Sequence, residues 1–477
     1  MKVCFITSEC VPYVKTGGLA DVSGSLPEAL NKNNAEVKIF LPLYDTIDRI
    51  KHEINPAEGL SDSVSIGGIN HSYNVFHTRH ANVLDVFFID CPEYFNRGVV
   101  YTGDEDENER YILFQHAVLK SLQKMKWAPD VFHCNDWQSA LIPPLLKLQY
   151  SWDALFQKSK TLLSIHNIGY QGIFPEDSVV KAGFESSLFV LGGPFEFNRF
   201  ANFLKAGIYY SDVISTVSPT YAKEIQTPEF GSGLDGVLRS RGGNVYGILN
   251  GIDTNDWNPE KDKLIKRNYS FITLKNKYEN KKHLLEISGL ETDINIPLFG
   301  IVSRLAWQKG FELILELIEK RIDEKFKLVV LGAGEKKYED AFLELMNEYP
   351  DKVKIYIEYN NSIAHLITAG SDFFFMPSRY EPCGLNQMYS LNYGTLPIVR
   401  NVGGLADTVI DVDNKNGNGF SFNEFELEGI ESSFDKALML YKNNNKMKTV
   451  IKRGMSSDFS WDKSAKEYLD LYSKLSI

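Results

Sequence analysis

The chain is poor in cysteine, carries no excess of positive charge and has no long apolar run. Its five cysteines, Cys4, Cys10, Cys91, Cys134 and Cys383, are odd in number and scattered, with no CxxC spacing. That pattern excludes a disulfide framework and a zinc site of ordinary ligand spacing, and it fits a reducing, cytoplasmic compartment. A formal charge of −11 gives no blanket of positive potential, so nucleic acid and an anionic membrane surface are excluded as partners. An anionic substrate must then be met by a few local cations. No stretch approaches the ~20 apolar residues that cross a bilayer, and the opening Met1-Lys2-Val3-Cys4-Phe5-Ile6-Thr7 reads as a strand rather than a leader. Two phosphate-binding signatures are also missing. The Walker A pattern GxxxxGK(S/T) has no match, and Gly332-Ala333-Gly334 carries Lys337 where a dinucleotide loop needs its third glycine. That glycine pair reads instead as a strand-to-helix turn near a nucleotide.

What is present is alternation of strand-like and helix-like segments. At 477 residues, 43% hydrophobic and 24% charged, the chain is too long for one core and suits two α/β domains. Residues 3–7, 37–41, 83–89, 131–133, 161–165 and 213–217 read as strands of a first doubly wound domain. Tyr111, Phe114, Val118 and Leu122 mark one buried helix face between them. The acidic segment 103–110 reads as a solvated surface turn or helix start. From about Asn250 the scheme repeats, with strands at 297–303, 326–331, 353–357, 372–376 and 395–399. A helix carries Phe311, Ile314, Leu315 and Ile318 at i, i+3, i+4 and i+7. The polar segment 253–296 reads as linker and surface helix. The tail from Ser457 is amphipathic, with Trp461, Tyr468, Leu471 and Tyr472 as packing residues.

Several loops carry candidate chemistry. At 372–408 an apolar run, Phe373 to Met376, stops at Pro377, and a loop with Ser378, Arg379, Glu381, Cys383, Gly384 and Leu385 enters a helix. A second strand then ends in Gly403-Gly404-Leu405-Ala406-Asp407. Ligands of open α/β sheets bind beyond the carboxyl ends of the strands, where helix N-termini favour anions. Near the start, Lys15-Thr16-Gly17-Gly18 follows a strand and opens a helix: the glycines permit close backbone approach and Lys15 adds a full charge. Arg304 and Lys309 lie one loop after a strand end, where two cations can absorb the charge that builds on a departing phosphate. His166 and Asp136 each follow a strand, and Tyr101, with Arg97 near it, offers a flat face to a sugar ring. Covalent chemistry at Cys383 lacks a paired base.

These motifs, with Lys15 to Val22, His166-Asn167 and Asn250-Gly251-Ile252-Asp253 in the same order, resemble those of the bacterial glycogen synthases and plant starch synthases. The resemblance runs over nearly the whole chain and implies an α/β GT-B fold, two doubly wound Rossmann-like domains with a deep cleft. It implies domains at 1–250, with the helix 457–477 returning to it, and at 251–456. It further implies retaining transfer of glucose from ADP-glucose to an α-1,4-glucan, with no metal and no cofactor. In that family the positions of Arg304, Lys309, Glu381 and His166 are catalytic. Lys15, Gly17, Gly18, Asn250, Cys383, Gly384, Leu385 and Thr395 are assigned to the donor, and Asp21, Asp136 and Tyr101 to the acceptor side. Two departures stand out. Tyr389 occupies the place of a second glutamate found in many GT-B relatives, in agreement with the glycogen and starch synthase branch, and Asn135 replaces the histidine often seen before the aspartate. Rival readings are a UDP-glucose-dependent relative, an epimerase or phosphorylase on the same fold, and a non-catalytic glucan-binding protein. The last has no use for a diphosphate site.

Overall fold

The computed structural model describes residues 1–80 and 83–475, so residues 476 and 477 of the expected tail lie outside the described residues. The chain divides into two compact units. One comprises Met1–Val217, Ala222–Gly251 and Trp461–Ile477; the other comprises Ser218–Tyr221 and Ile252–Ser460. Residues 457–460, expected with the returning tail, thus belong to the second unit. All five cysteines are free and buried. Among the described residues no helix is long and apolar enough to cross a membrane.

The first unit is built on a ten-stranded sheet. Its order is Val245–Gly247, Val213–Thr216, Lys160–Ile165, Val131–Asn135, Lys2–Ile6, Glu36–Pro42, Leu84–Asp90, Ile69–His80 and Asn55–Pro56, with Asp62–Ile66 paired to Ile69–His80. The seven strands from Val245–Gly247 to Leu84–Asp90 are parallel, and six of them read as apolar runs because both faces are covered; the half-buried edge strand Val245–Gly247 is not among the expected strands. The antiparallel extension at 55–80 is not among the expected strands, although the alternation of buried His71, Tyr73 and Val75 with exposed residues is the signature of a strand with one face to water. Helix Glu107–Met125 buries Tyr111, Phe114, Val118 and Leu122 completely, as their spacing requires. Its first turn corrects the expectation of a solvated 103–110. Glu107, Asn108 and Arg110 are buried, and Arg110 Nη1 lies 2.6 Å from Glu107 Oε2. The helix begins at Glu107, so this i, i+3 pair folds onto itself and leaves water together.

The closing helix Trp461–Leu475 packs within this unit against helix Gly18–Lys32. Trp461, Tyr468, Leu471 and Tyr472 are all buried, each contributing about 1.5–3 kcal/mol of transfer free energy before the entropy of ordering it. The Tyr472 hydroxyl and His133 Nδ1, 2.6 Å apart, join the helix to the central sheet.

The second unit holds a six-stranded sheet in the order Val353–Tyr356, Lys327–Leu331, Leu298–Val302, Phe373–Met376, Leu396–Arg400 and Phe420–Phe422, parallel throughout. Phe299, stacked between Phe373 and Phe375 at ring distances near 5 Å, anchors the core on one face. The order in which successive strands are added reverses between Leu298–Val302 and Phe373–Met376. In a doubly wound sheet that switch point opens a crevice at the carboxyl ends of the two strands. The segment 253–296 holds the expected helix, Lys277–Ile287, with one face exposed, but four of its polar residues are not surface: Asp262, Lys277, Asn280 and Lys281 are buried. Their partners come from far along the chain. Asp262 Oδ2 accepts from His365 Nδ1 and the Tyr393 hydroxyl, and Lys281 Nζ lies 2.6 Å from Asp372.

Candidate active site

At the switch point of the second unit, two loops face the same end of the sheet. After Leu298–Val302 the chain passes Arg304 and turns through Trp307–Lys309 to Gly310. After Phe373–Met376 it passes Pro377, Ser378 and Glu381 into helix Asn386–Asn392. The loops lock backbone to backbone. Arg379 N–H donates to the Gln308 carbonyl (2.8 Å), Gln308 Nε2 to that of Tyr380 (3.1 Å), and a Cβ at Gly310 would stand 2.3 Å from the Pro377 carbonyl oxygen. Gly310 also sits at φ 70°, a conformation costly for any other residue. The glycine pair after Leu396–Arg400 closes on the same loop: a Cβ on Gly403 would fall 1.9 Å from the Glu381 carbonyl oxygen.

That scaffold sets the charges. Lys309 Nζ lies 2.6 Å from Glu381 Oε2, which also accepts from Ser378 Oγ at 3.0 Å, and both side chains are largely withdrawn from water. Arg304 is exposed, and its guanidinium has no partner among the described residues. The two cations expected to act alike are therefore unlike: one is neutralised and held, the other is free to meet an anion. A third cation, Arg379, is engaged by Glu312 and lies over the Phe425 ring at 3.9 Å. Cys383, Gly384 and Leu385 lead into the helix at this end of the sheet. Gln387 Nε2 holds the Cys383 and Gly384 carbonyls, at 3.0 and 2.9 Å.

Thr395 does not belong to this group. It precedes Leu396–Arg400, at the amino end of a strand about 16 Å long, whereas the loops described above lie at the carboxyl end. Its hydroxyl is buried and spent on the Thr368 carbonyl and Lys277 Nζ. Position in a motif gave no sign of which end of the strand it occupies. Asn386, which the sequence reading passed over, lies at the correct end and binds the Val302 carbonyl at 2.6 Å. Tyr389, in the place of a second glutamate, is structural: it stacks on Trp257 at 4.0 Å, and Trp257 on His365 at 3.7 Å.

In the first unit the switch point falls between Lys2–Ile6 and Val131–Asn135, and again the loops beyond both strands carry the candidates. Asp136 is buried at φ 54°, and its Oδ1 accepts the His166 N–H at 2.7 Å. Burial pushes its carboxyl up to about 7, against the opposing pull of the His166 and Asn167 amides. His166 Nε2 donates to Asn135 Oδ1 at 2.9 Å, and burial pushes the ring down to about 3. It is thus a neutral imidazole with its lone pair on Nδ1. Asn135 is the partner that orients it. Asn250, also in this unit, is buried, and its Oδ1 has no hydrogen-bond partner among the described residues.

The Lys15 loop differs from expectation in three ways. Lys15 Nζ is paired with Asp21 Oδ1 at 2.7 Å, so residues assigned to donor and acceptor sides are one another's partners. The amide of Gly17, expected to face an anion, donates instead to Glu9 Oε2 at 2.8 Å; Gly18 begins the helix Gly18–Lys32. Tyr101 is held by its hydroxyl, which donates to Glu9 Oε1 at 2.6 Å, rather than offering only a ring. Arg97 is tied to Asp104 and Asp106 within its own loop. Glu9 is the residue that sequence reasoning missed. Its one signal is a carboxylate three residues past a strand end, ahead of a Gly-Gly turn.

The starch synthase catalytic domain family matches residues 2–240, and the glycosyl transferases group 1 family matches residues 286–454. The chain is 44% identical to a glycogen synthase of Koribacter versatilis, over 99% of this chain and 98% of that protein. It is 43% identical to one of Thermosipho melanesiensis, over 99% of both. Among solved structures, the catalytic domain of starch synthase IV from Arabidopsis thaliana, bound to ADP and acarbose, superposes with a TM-score of 0.92 at 32% identity. That match covers 100% of this chain and 99% of that one.

Proposed function

Since this chain belongs to the glycogen and starch synthase family, we propose that it transfers glucose from ADP-glucose to the non-reducing end of an α-1,4-glucan, with retention at the anomeric carbon. The observation that carries the reading is the pairing of a free Arg304 with a held Lys309–Glu381 couple at the switch point of the second unit. When the glycosidic bond to the diphosphate breaks, negative charge collects on the departing ADP. Arg304 is the cation that meets it first, and Lys309, fixed by Glu381 and Ser378, is the second. At about 4 Å and an effective dielectric near 20, each such contact is worth roughly 4 kcal/mol. Glu381, turned by this pair, is the carboxylate that orients the donor sugar. Cys383, Gly384 and Leu385 line the donor side, with Asn250 and Gly18 as further donor contacts.

From the first unit, Lys15 serves the donor phosphates by exchanging Asp21 for them. Neutral His166 accepts a hydroxyl proton of the glucose through Nδ1, and Asp136 and Tyr101 serve the acceptor. Among the described residues, the carboxylates placed at the site, Glu381, Asp136 and Asp21, are each held by structural partners, so departure and attack proceed on the same face. The reading places the enzyme in the cytoplasm, which suits its free thiols. Parallel incubation with radiolabelled ADP-glucose and UDP-glucose, with glycogen as primer, tests it. Incorporation from ADP-glucose is expected, and incorporation from UDP-glucose alone, or from neither, would reject it.

A further inference from the structure

The Glu9 carboxylate is 3% exposed, yet no cation pairs with it among the described residues. It is consumed by neutral donors. Oε2 accepts the Thr16 and Gly17 amides at 2.5 and 2.8 Å, and Oε1 accepts the Tyr101 hydroxyl at 2.6 Å. Its own backbone is fixed as well: Thr7 Oγ1 donates to the Glu9 carbonyl at 2.8 Å, and the Tyr101 hydroxyl also meets Ser8 Oγ at 2.8 Å. A buried anion of this kind is costly unless fully hydrogen-bonded, and amide-to-carboxylate bonds are the strong, charge-assisted class. The two amides it holds directly follow Lys15. The remaining end of the loop is fixed by helix Gly18–Lys32. Lys15, 42% exposed, can swing from Asp21 to an incoming anion.

We infer that Glu9 is a positioning residue that acts through Lys15: it clamps the backbone of residues 16 and 17 so that the lysine meets the donor diphosphate from a rigid base. The inference rests on the donor role proposed above for Lys15, and it concerns the donor rather than the glucan. Gly17 is then not a phosphate contact but the grip by which the loop is held. A glutamine at position 9 keeps the size of the side chain but replaces a charged acceptor of three hydrogens with a neutral one.

The test is steady-state kinetics of the full chain with ADP-glucose and glycogen varied in turn, for wild type, Glu9→Gln, Lys15→Gln and the double variant. Glu9→Gln should raise KM for ADP-glucose about tenfold, the usual size of one weakened charge-assisted bond. Its kcat should change by less than about threefold and its KM for glycogen by less than about twofold. In the Lys15→Gln background the same substitution should add almost nothing, because the residue it acts through is already gone. An unchanged donor KM, an equal tenfold rise in both backgrounds, or parallel loss of kcat and both KM values would each overturn the inference. If Glu9→Gln fails to fold, Glu9→Asp, which keeps the charge but draws the carboxylate back from the two amides, carries the same comparison with about a threefold rise expected. A wild-type enzyme inactive on ADP-glucose would reject the parent reading instead, which separates the two failures.

Discussion

Replacing Lys309 by alanine tests the charge arrangement of the second unit most directly. The ammonium lies 2.6 Å from Glu381 Oε2, with side-chain exposures of 18% and 7%. After the substitution Glu381 keeps only the Ser378 hydroxyl, at 3.0 Å, in a largely dry place. Removing one member of a buried pair costs about 3–5 kcal/mol, and the residual exposure of Lys309 brings the expectation toward the lower end. Protonation sets a ceiling: an ordinary glutamate carboxyl costs about 3.7 kcal/mol to protonate at pH 7 but only about 1 kcal/mol at pH 5. The loss should therefore be about 2–3 kcal/mol at pH 7 and about 1 kcal/mol or less at pH 5. Urea unfolding read by hydrogen exchange in strand Leu298–Val302 follows this unit on its own. Adding Glu381→Gln should recover most of the stability. It should not recover turnover, expected to fall 10²-fold or more in Lys309→Ala, the loss typical of one transition-state charge contact. A stability loss equal at both pH values would refute the buried charge pairing, whereas turnover restored by the second substitution would show that Lys309 serves only as a counter-ion.

Four further outcomes follow from the same geometry. Arg304→Ala should lower kcat at least 10²-fold without loss of stability, since its side chain has no partner among the described residues. Asp85→Ala should leave kcat nearly unchanged but cost about 1–3 kcal/mol of stability, because Asp85 gathers Lys38, His77 and Arg79 on one partly buried carboxylate; comparable small effects on kcat at both positions would refute the assignment. Asp136, raised to about 7 by burial, loses folding free energy as pH climbs from about 4 to 7. Asp136→Asn should therefore be more stable than wild type at pH 8, by up to about 3–4 kcal/mol, and indistinguishable from it near pH 4. Denaturant titrations at the two pH values decide this. Lys277, buried on the Ala369 carbonyl and Thr395 Oγ1 and pushed down to about 7, binds its proton more weakly folded than unfolded. Wild type should gain stability over Lys277→Met by about 1.4 kcal/mol per pH unit between roughly pH 7 and 10. A flat difference would reject a depressed lysine.

Much of this protein was legible in its residues taken in order. Apolar runs located the parallel strands other than the edge strands Val245–Gly247 and Phe420–Phe422, because both faces of a doubly wound sheet are covered, and the spacing of Tyr111, Phe114, Val118 and Leu122 gave a helix face that is fully buried. The loops bearing Arg304, Lys309, Glu381, His166 and Asp136 were legible too, since each closely follows a strand. Tertiary structure alone decided what those loops do to one another. Lys309 and Glu381 lie 72 residues apart, Tyr101 and Glu9 92 apart, and each pair meets only because its loop ends were brought to one side of a sheet. Which end of a strand a residue occupies is likewise invisible locally, so Thr395 looked like a ligand and is a buried brace. The buried Asp262, Lys277 and Lys281 looked like surface for the same reason. Periodicity records which face of an element is apolar, whereas a charge leaves water only when a distant partner arrives to replace it.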